Sequence, residues 1–198
     1  MKALLDAKLP VENITVISNN PKATGLAVAE AKGVQSAVVN HRDYSDRVSF
    51  DTALTEKIDG YQPNLIALAG FMRILSDGFV NRYRGRLINI HPSLLPSFPG
   101  LKTHANALHE GVKIHGCTVH FVTPTVDYGP IVIQAAVPIL PNDTEQTLAT
   151  RVLQQEHHVY PQAVRWFLEG QLKNIDNRVE ICETTTRNTV LYSPGLQE

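Results

Sequence analysis

Two short runs, NLIALAG at 64–70 and RLINIH at 86–91, are apolar almost without alternation, and a helical pattern, SDGFVNRYRG at 76–85, separates them. A strand that is apolar at consecutive positions needs cover on both faces, which is the situation of strands in a sheet with helices above and below. The rest of the chain keeps this rhythm. ENITVISNN at 12–20 and VQSAVV at 34–39 read as strands, with the alanine-rich helix ATGLAVAEAKG stopped by Gly33 between them. SFDTALTEKIDGYQP at 49–63 puts Phe50, Leu54 and Ile58 four residues apart, hence on one helical face. The alternation predicts an α/β fold with an open, mostly parallel, Rossmann-like sheet and helices on both faces.

Further along, KTHANALHEG at 102–111 predicts a helix begun by Thr103, and GCTVHFVT and PIVIQAAVPI predict two strands joined by the turn-forming PTVDYG. The stretch 142–170 is the longest helical candidate, capped by Asp143 or Thr144 and kinked or divided at Pro161. Residues 171–182 suggest a small hairpin, and 184–198 a loosely held C-terminal tail. The opening MKALLDAKLP reads as the latter part of a helix ended by Pro10, although an open α/β domain usually begins with a strand.

Ligands of open α/β sheets bind beyond the carboxyl ends of the strands. RLINIH ends there with Asn89 and His91 two positions apart, followed by Pro92, Pro96, Pro99 and Gly100. PTVDYG brings Asp127 to the same end if its flanking strands carry it across. An amide donor, an imidazole that exchanges a proton near neutrality and a carboxylate suit attack on a carbonyl carbon, with the developing oxyanion stabilised by Asn89 and His91. Each residue also has an ordinary reading: Asn as a turn former, His as a packed side chain, Asp before Tyr-Gly as a turn residue. Thr118 and His120 share a strand face and can point toward the same cleft. Met72, Ile74 and Leu75 around Arg73 make either core or a slot for a planar ring. Arg47 can bind a carboxylate or face solvent, and Glu156 can meet a hydroxyl-bearing ligand or solvate its helix.

Eighteen basic and nineteen acidic side chains, a net charge of -1, ask for no polyanionic partner, so nucleic acid is not expected. No apolar run reaches membrane-spanning length, and Cys117 and Cys182 lack the density of a disulfide framework. A cytoplasmic protein without membrane attachment is expected. His104 and His109 lie five apart and His157 and His158 are adjacent, so neither pair has the spacing of a helical zinc site, and no metal is expected.

LAGFMRILS, NIHPSLLPSFPG, HGCTVHFVT, VDYGPIVIQAAVPI and QEHHVYP together resemble the phosphoribosylglycinamide formyltransferase family, the folate-dependent glycinamide ribonucleotide transformylases of purine synthesis. The likeness extends over roughly residues 12–175. It implies transfer of a formyl group from 10-formyltetrahydrofolate to glycinamide ribonucleotide in a monomer or homodimer. It also implies that Asn89 holds the formyl oxygen, His91 donates a proton and Asp127 supports the charged imidazole. Folate contacts would come from Arg47, Met72, Arg73, Ile74, Leu75, Asn89, Thr123, Pro124, Thr125, Val126 and Asp127, and ribonucleotide contacts from Leu153, Gln154, Gln155 and Glu156. Residues 1–183 are expected to form a single catalytic domain. Family members begin with a strand and a glycine- and serine-rich phosphate loop that have no counterpart here, so an N-terminally incomplete domain with a gap inside its sheet is expected. Rival readings are 10-formyltetrahydrofolate hydrolase, transfer to initiator methionyl-tRNA and a non-catalytic folate-binding remnant.

Overall fold

A computed structural model describes residues 1–175, 178–182 and 193. The chain runs α1 (Lys2–Asp6), β1 (Thr15–Ser18), α2 (Thr24–Ala31), β2 (Gln35–Val38), α3 (Arg47–Asp59), β3 (Ile66–Leu68), α4 (Asp77–Arg82), β4 (Leu87–His91), α5 (Thr103–His109), β5 (Ile114–Phe121), β6 (Ile131–Pro138), α6 (Glu145–Leu168), β7 (Leu172–Ile175) and β8 (Arg178–Ile181). β1 and β2 pair in parallel, and β3-β4-β5-β6 form a separate four-stranded sheet. Within the larger sheet β3 and β4 are parallel, whereas β4-β5 and β5-β6 are antiparallel, so the sheet is mixed. β7 and β8 form the expected antiparallel hairpin. The expected loose tail lies almost wholly outside the described residues.

Helices cover both faces of the larger sheet. On one face Ile88, Cys117, Val119 and Phe121 pack under Leu148, Val152, Val159, Tyr160, Ala163 and Val164 of α6. Each fully buried aliphatic side chain of this kind contributes about 1.5–3 kcal/mol. On the other face Leu87 joins Phe50, Leu54 and Ile58 of α3 and Phe79, Val80 and Tyr83 of the α4 region. Asn89 and His91 follow Leu87 on that same face by strand alternation. The apolar cover ends one residue pair before them, and this leaves the polar pair at the open end. β3, expected to be covered on both faces, is only half-buried.

Several boundaries differ from expectation for local reasons. α1 ends at Asp6, where Ala7 turns extended, before Pro10 is reached. Arg47, expected between elements, is the first residue of α3, whose start is capped by Asp46 accepting from Ser49 N at 2.9 Å. Thr103 does not cap α5: Lys102 holds the cap position in the left-handed region (φ 57°), and Thr103 is buried as the first helical residue. Thr144 caps α6 through a reciprocal pair of bonds with Thr147, and Asp143 instead accepts from the two terminal guanidinium nitrogens of Arg151 at 2.7 and 2.8 Å. That guanidinium drives the Asp143 carboxyl well below the usual range. Pro161 does not divide α6. The carbonyl it leaves without an intrahelical donor belongs to exposed His157, where water can satisfy it.

Among the described residues, no helix is long and apolar enough to cross a membrane.

Candidate active site

The antiparallel register of β4 and β5 sets Asn89 opposite His120 and His91 opposite Thr118. These four side chains therefore share one face at the end of β4. His91, Thr118 and His120 are buried and Asn89 is half-buried. Asp127 arrives from the loop between β5 and β6 and places Oδ2 3.4 Å from His91 Nδ1 and Oδ1 3.9 Å from His120 Nε2. The amide, imidazole and carboxylate thus meet in one place.

The backbone decides which imidazole nitrogen is free. His91 Nε2 lies 3.0 Å from the Phe98 carbonyl, which can only accept, so Nε2 carries a proton and donates it. Nδ1 is then the nitrogen that faces Asp127. The Gly100 N–H donates to Asp127 Oδ2 at 2.8 Å, so the loop after β4 grips both members of the pair. Phe98 (φ 54°) and Asp127 (φ 49°) both occupy the left-handed region, which L-residues hold at about 1–2 kcal/mol each. Strain therefore sits at the two residues that orient the imidazole.

His120 has the complementary arrangement. Its Nδ1 donates to the Phe121 carbonyl at 2.9 Å, which leaves the Nε2 lone pair turned toward Asn89 Nδ2 at 3.5 Å. Burial pushes the His120 pKa down, while the Phe121 carbonyl and Asp127 pull it up. A neutral His120 fixes which end of the Asn89 amide is the donor end, and the second Asn89 N–H is left for a ligand oxygen.

Two glycines permit the close approach of these elements. A Cβ on Gly116 would stand 1.9 Å from the Ala135 carbonyl oxygen, and one on Gly129 would stand 1.9 Å from that of Phe121. The second contact brings the chain back onto β5 two residues after Asp127.

Apolar groups lie exposed in the segments expected to meet folate. Met72 is 77% and Ile74 61% exposed, while Leu75 packs on the α3/α4 core and Arg73 stacks over the Phe50 ring, 5.3 Å from its centroid. In the β5–β6 loop, Thr123 Oγ1 donates to the Tyr128 carbonyl at 2.6 Å, with the Thr125 carbonyl 3.1 Å away. Pro124, Thr125 and Val126 are exposed. Arg47 is exposed on the first turn of α3. Leu153 and Gln154 are exposed on α6, Gln155 and Glu156 are half-buried, and burial raises the Glu156 carboxyl pKa.

His104 and His115, which spacing alone does not pair, meet at 3.1 Å behind the loop, and His115 packs edge-on against Phe98. Burial depresses both, His115 to about 4. Among the described residues no cluster of three or more His, Cys, Asp or Glu side chains is placed to hold a metal. Sequence reasoning also missed the Phe98 carbonyl and the Gly100 amide, which are backbone groups without a side-chain signature. Gln134 was missed too, although a lone polar residue inside PIVIQAAVPI was a visible signal.

Residues 1–164 match the family model described as formyl transferase. A phosphoribosylglycinamide formyltransferase of Escherichia coli (strain K12) is 44% identical over 181 residues, which are 89% of this chain and 85% of that protein. A trifunctional purine biosynthetic protein adenosine-3 of Drosophila melanogaster is 46% identical over 176 residues, 86% of this chain but 13% of that protein. The crystal structure of glycinamide ribonucleotide transformylase 1 from Symbiobacterium toebii superposes with a TM-score of 0.89 at 44% identity, covering 92% of this chain and 88% of that one. A fold match of this quality, at this identity and along most of both chains, joins the sheet-end polar cluster to a known lineage: the chain belongs to the formyl transferase family, among its phosphoribosylglycinamide formyltransferases.

Proposed function

We propose that this chain transfers the formyl group of 10-formyltetrahydrofolate to the amine of glycinamide ribonucleotide, with residues 1–183 acting as one catalytic domain. The observation that carries the reading is the meeting of Asn89, His91 and Asp127 at one sheet end, with Asp127 Oδ2 3.4 Å from His91 Nδ1. Folate is consumed as a cosubstrate, and the exposed side chains of Met72 and Ile74 suit a planar heterocycle.

The amine lone pair attacks the formyl carbon, a C–N bond forms and the carbonyl oxygen gains negative charge. The free Asn89 N–H and protonated His91 Nδ1 stabilise that oxygen. Asp127 stabilises the imidazolium and faces the region where the attacking amine sheds its proton. Collapse of the tetrahedral intermediate breaks the bond to the folate N10, which takes up a proton and leaves as tetrahydrofolate. The proton lost by the amine balances the one gained by N10.

Met72, Arg73, Ile74, Leu75, Arg47 and the loop Thr123–Asp127 are assigned to the folate, and Leu153, Gln154, Gln155 and Glu156 to the ribonucleotide. The exposure of Leu153 and Gln154 beside half-buried Glu156 supports a ligand-facing stretch of α6.

The test incubates the 198-residue chain with 10-formyltetrahydrofolate, with and without glycinamide ribonucleotide, and follows both products by mass spectrometry. Formylated ribonucleotide is expected. Formate release at the same rate in both reactions would instead establish hydrolysis, and binding of a folate analogue without turnover would establish a non-catalytic folate-binding protein.

A further inference from the structure

The loop after β4 grips both His91 and Asp127, so whatever fixes that loop to the sheet fixes the pair. Among the described residues, every side-chain hydrogen bond tying residues 93–97 to the sheet comes from Thr118 on β5 or Gln134 on β6. Thr118 Oγ1 donates to the Ser93 carbonyl at 2.7 Å and accepts from Leu95 N at 3.0 Å. Gln134 Nε2 donates to the Leu95 carbonyl and to Thr118 Oγ1, each at 2.9 Å.

The count is closed. A hydroxyl has one proton and two lone pairs, and Thr118 uses all three. The carboxamide has two N–H donors on one nitrogen, and Gln134 uses both. Because Gln134 fills the second lone pair of the hydroxyl, the Thr118 proton is directed to Ser93 and its remaining acceptor site to Leu95. Thr118 and Gln134 are cross-strand partners in the β5–β6 register, so the clasp is built on sheet geometry rather than on another loop. Ser93 Oγ continues the chain of bonds to the Ser97 carbonyl at 2.6 Å, next to Phe98, whose own carbonyl receives His91 Nε2–H.

We propose that Gln134, acting through Thr118 and the Leu95 carbonyl, is a positioning residue that sets the His91–Asp127 geometry for formyl transfer. The inference rests on the function proposed above. Gln134 itself is exposed and lies outside both hydrophobic clusters, so its replacement leaves the core intact. A carboxylate at the same place inverts the polarity: Gln134→Glu offers only acceptors to the Leu95 carbonyl, and the Thr118 proton would have to abandon Ser93.

The test compares Gln134→Met, Gln134→Glu, Thr118→Val and the conservative Thr118→Ser in the full chain. It reads kcat, KM for each substrate, the pH profile of kcat, the thermal midpoint, and the side-chain ¹⁵N shifts of His91 without ligands. Misplacement of reacting groups by a fraction of an ångström to 1 Å lowers turnover by about tenfold to hundredfold. Gln134→Met is expected to lose about tenfold in kcat with both KM values within about twofold, and to move the pH profile and the His91 shifts. Gln134→Glu is expected to lose more, and Thr118→Ser to recover most of what Thr118→Val loses. Combining Gln134→Met with Thr118→Val should add little to the worse single variant, as expected for residues acting as one unit. Variants with a lower thermal midpoint but unchanged kcat, pH profile and His91 shifts would reduce the clasp to a structural brace and overturn the inference. If the parent chain itself transfers no formyl group, the proposed function fails, and the His91 shifts still decide the role of Gln134.

Discussion

Asp127 Oδ2 accepts a hydrogen bond from Gly100 N at 2.8 Å while standing 3.4 Å from His91 Nδ1, so one carboxylate oxygen is shared between a backbone donor and the imidazole. The carboxylate is thereby placed by the same loop that tethers the far side of the ring through Phe98. Replacement of Asp127 separates its charge from its shape. Asparagine tolerates the left-handed backbone at φ 49° and can still accept from Gly100 with its oxygen. Asp127→Asn is expected to lower kcat by about 10²-fold or more with a nearly unchanged thermal midpoint. Asp127→Ala is expected to show a similar kinetic loss and an additional ~1 kcal/mol of destabilisation from the strained backbone. Steady-state rates and thermal unfolding of both variants check this, and near-parental turnover in Asp127→Asn would remove the charge from the mechanism.

The His120 lone pair toward Asn89 makes a different prediction. His120→Phe keeps an aromatic ring in the buried site but removes the acceptor that orients the amide. A fall of about tenfold in kcat is expected, with smaller changes in KM. Asn89→Asp removes the donor itself and is expected to cost about 10²–10³-fold, the usual scale for one oxyanion donor. An Asn89→Asp variant no slower than His120→Phe would contradict the donor role.

His115 gives the fold a dependence on acidity. Burial lowers its folded pKa to about 4 from the ordinary 6.5, with neighbouring His104 adding to the shift. The unfolded chain therefore binds this proton more readily than the native one between those values. Stability is fully present above pH 6.5 and declines as the pH falls toward about 4, by up to about 3 kcal/mol from this group. Denaturant titrations of the parent and His115→Phe across this range should show a shallower slope in the variant; equal slopes would assign the acid sensitivity elsewhere.

Tyr160 reaches from α6 to β3 and β4, donating its hydroxyl proton to the Leu68 carbonyl at 2.7 Å with the Ile88 carbonyl 3.3 Å away. Burial raises its pKa far above the ordinary range, so the hydroxyl remains a donor. Tyr160→Phe leaves these carbonyls without it and is expected to destabilise the fold by about 1–3 kcal/mol. Equilibrium unfolding reads the difference, and no loss would mean that another donor reaches Leu68.

The helix–strand order was legible because apolar periodicity records which faces are covered, as Phe50, Leu54 and Ile58 demonstrate by all being buried on α3. The meeting of Asn89, His91 and Asp127 was legible because their side chains carry distinct chemistry at the end of one strand and in the loop that returns to it. What escaped was set by tertiary geometry. The His104–His115 pair depends on how α5 folds back onto β5, and the Phe98 carbonyl acquires its role from a left-handed φ rather than from its side chain. Thr103 has the chemistry of a cap, yet its burial and the conformation of Lys102 displaced it from that position. Pro161 misled because the helix carries it where His157 can turn its carbonyl toward water.

The pairing of Asn89 with His120 and of His91 with Thr118 has a consequence for change by insertion or deletion. Losing or gaining a single residue in either strand would rotate its polar partners beneath α6 and present Ile88, Ile90, Val119 or Phe121 in their stead. Length variation in the surrounding loops can be absorbed; within these two strands it would erase the whole constellation at a stroke.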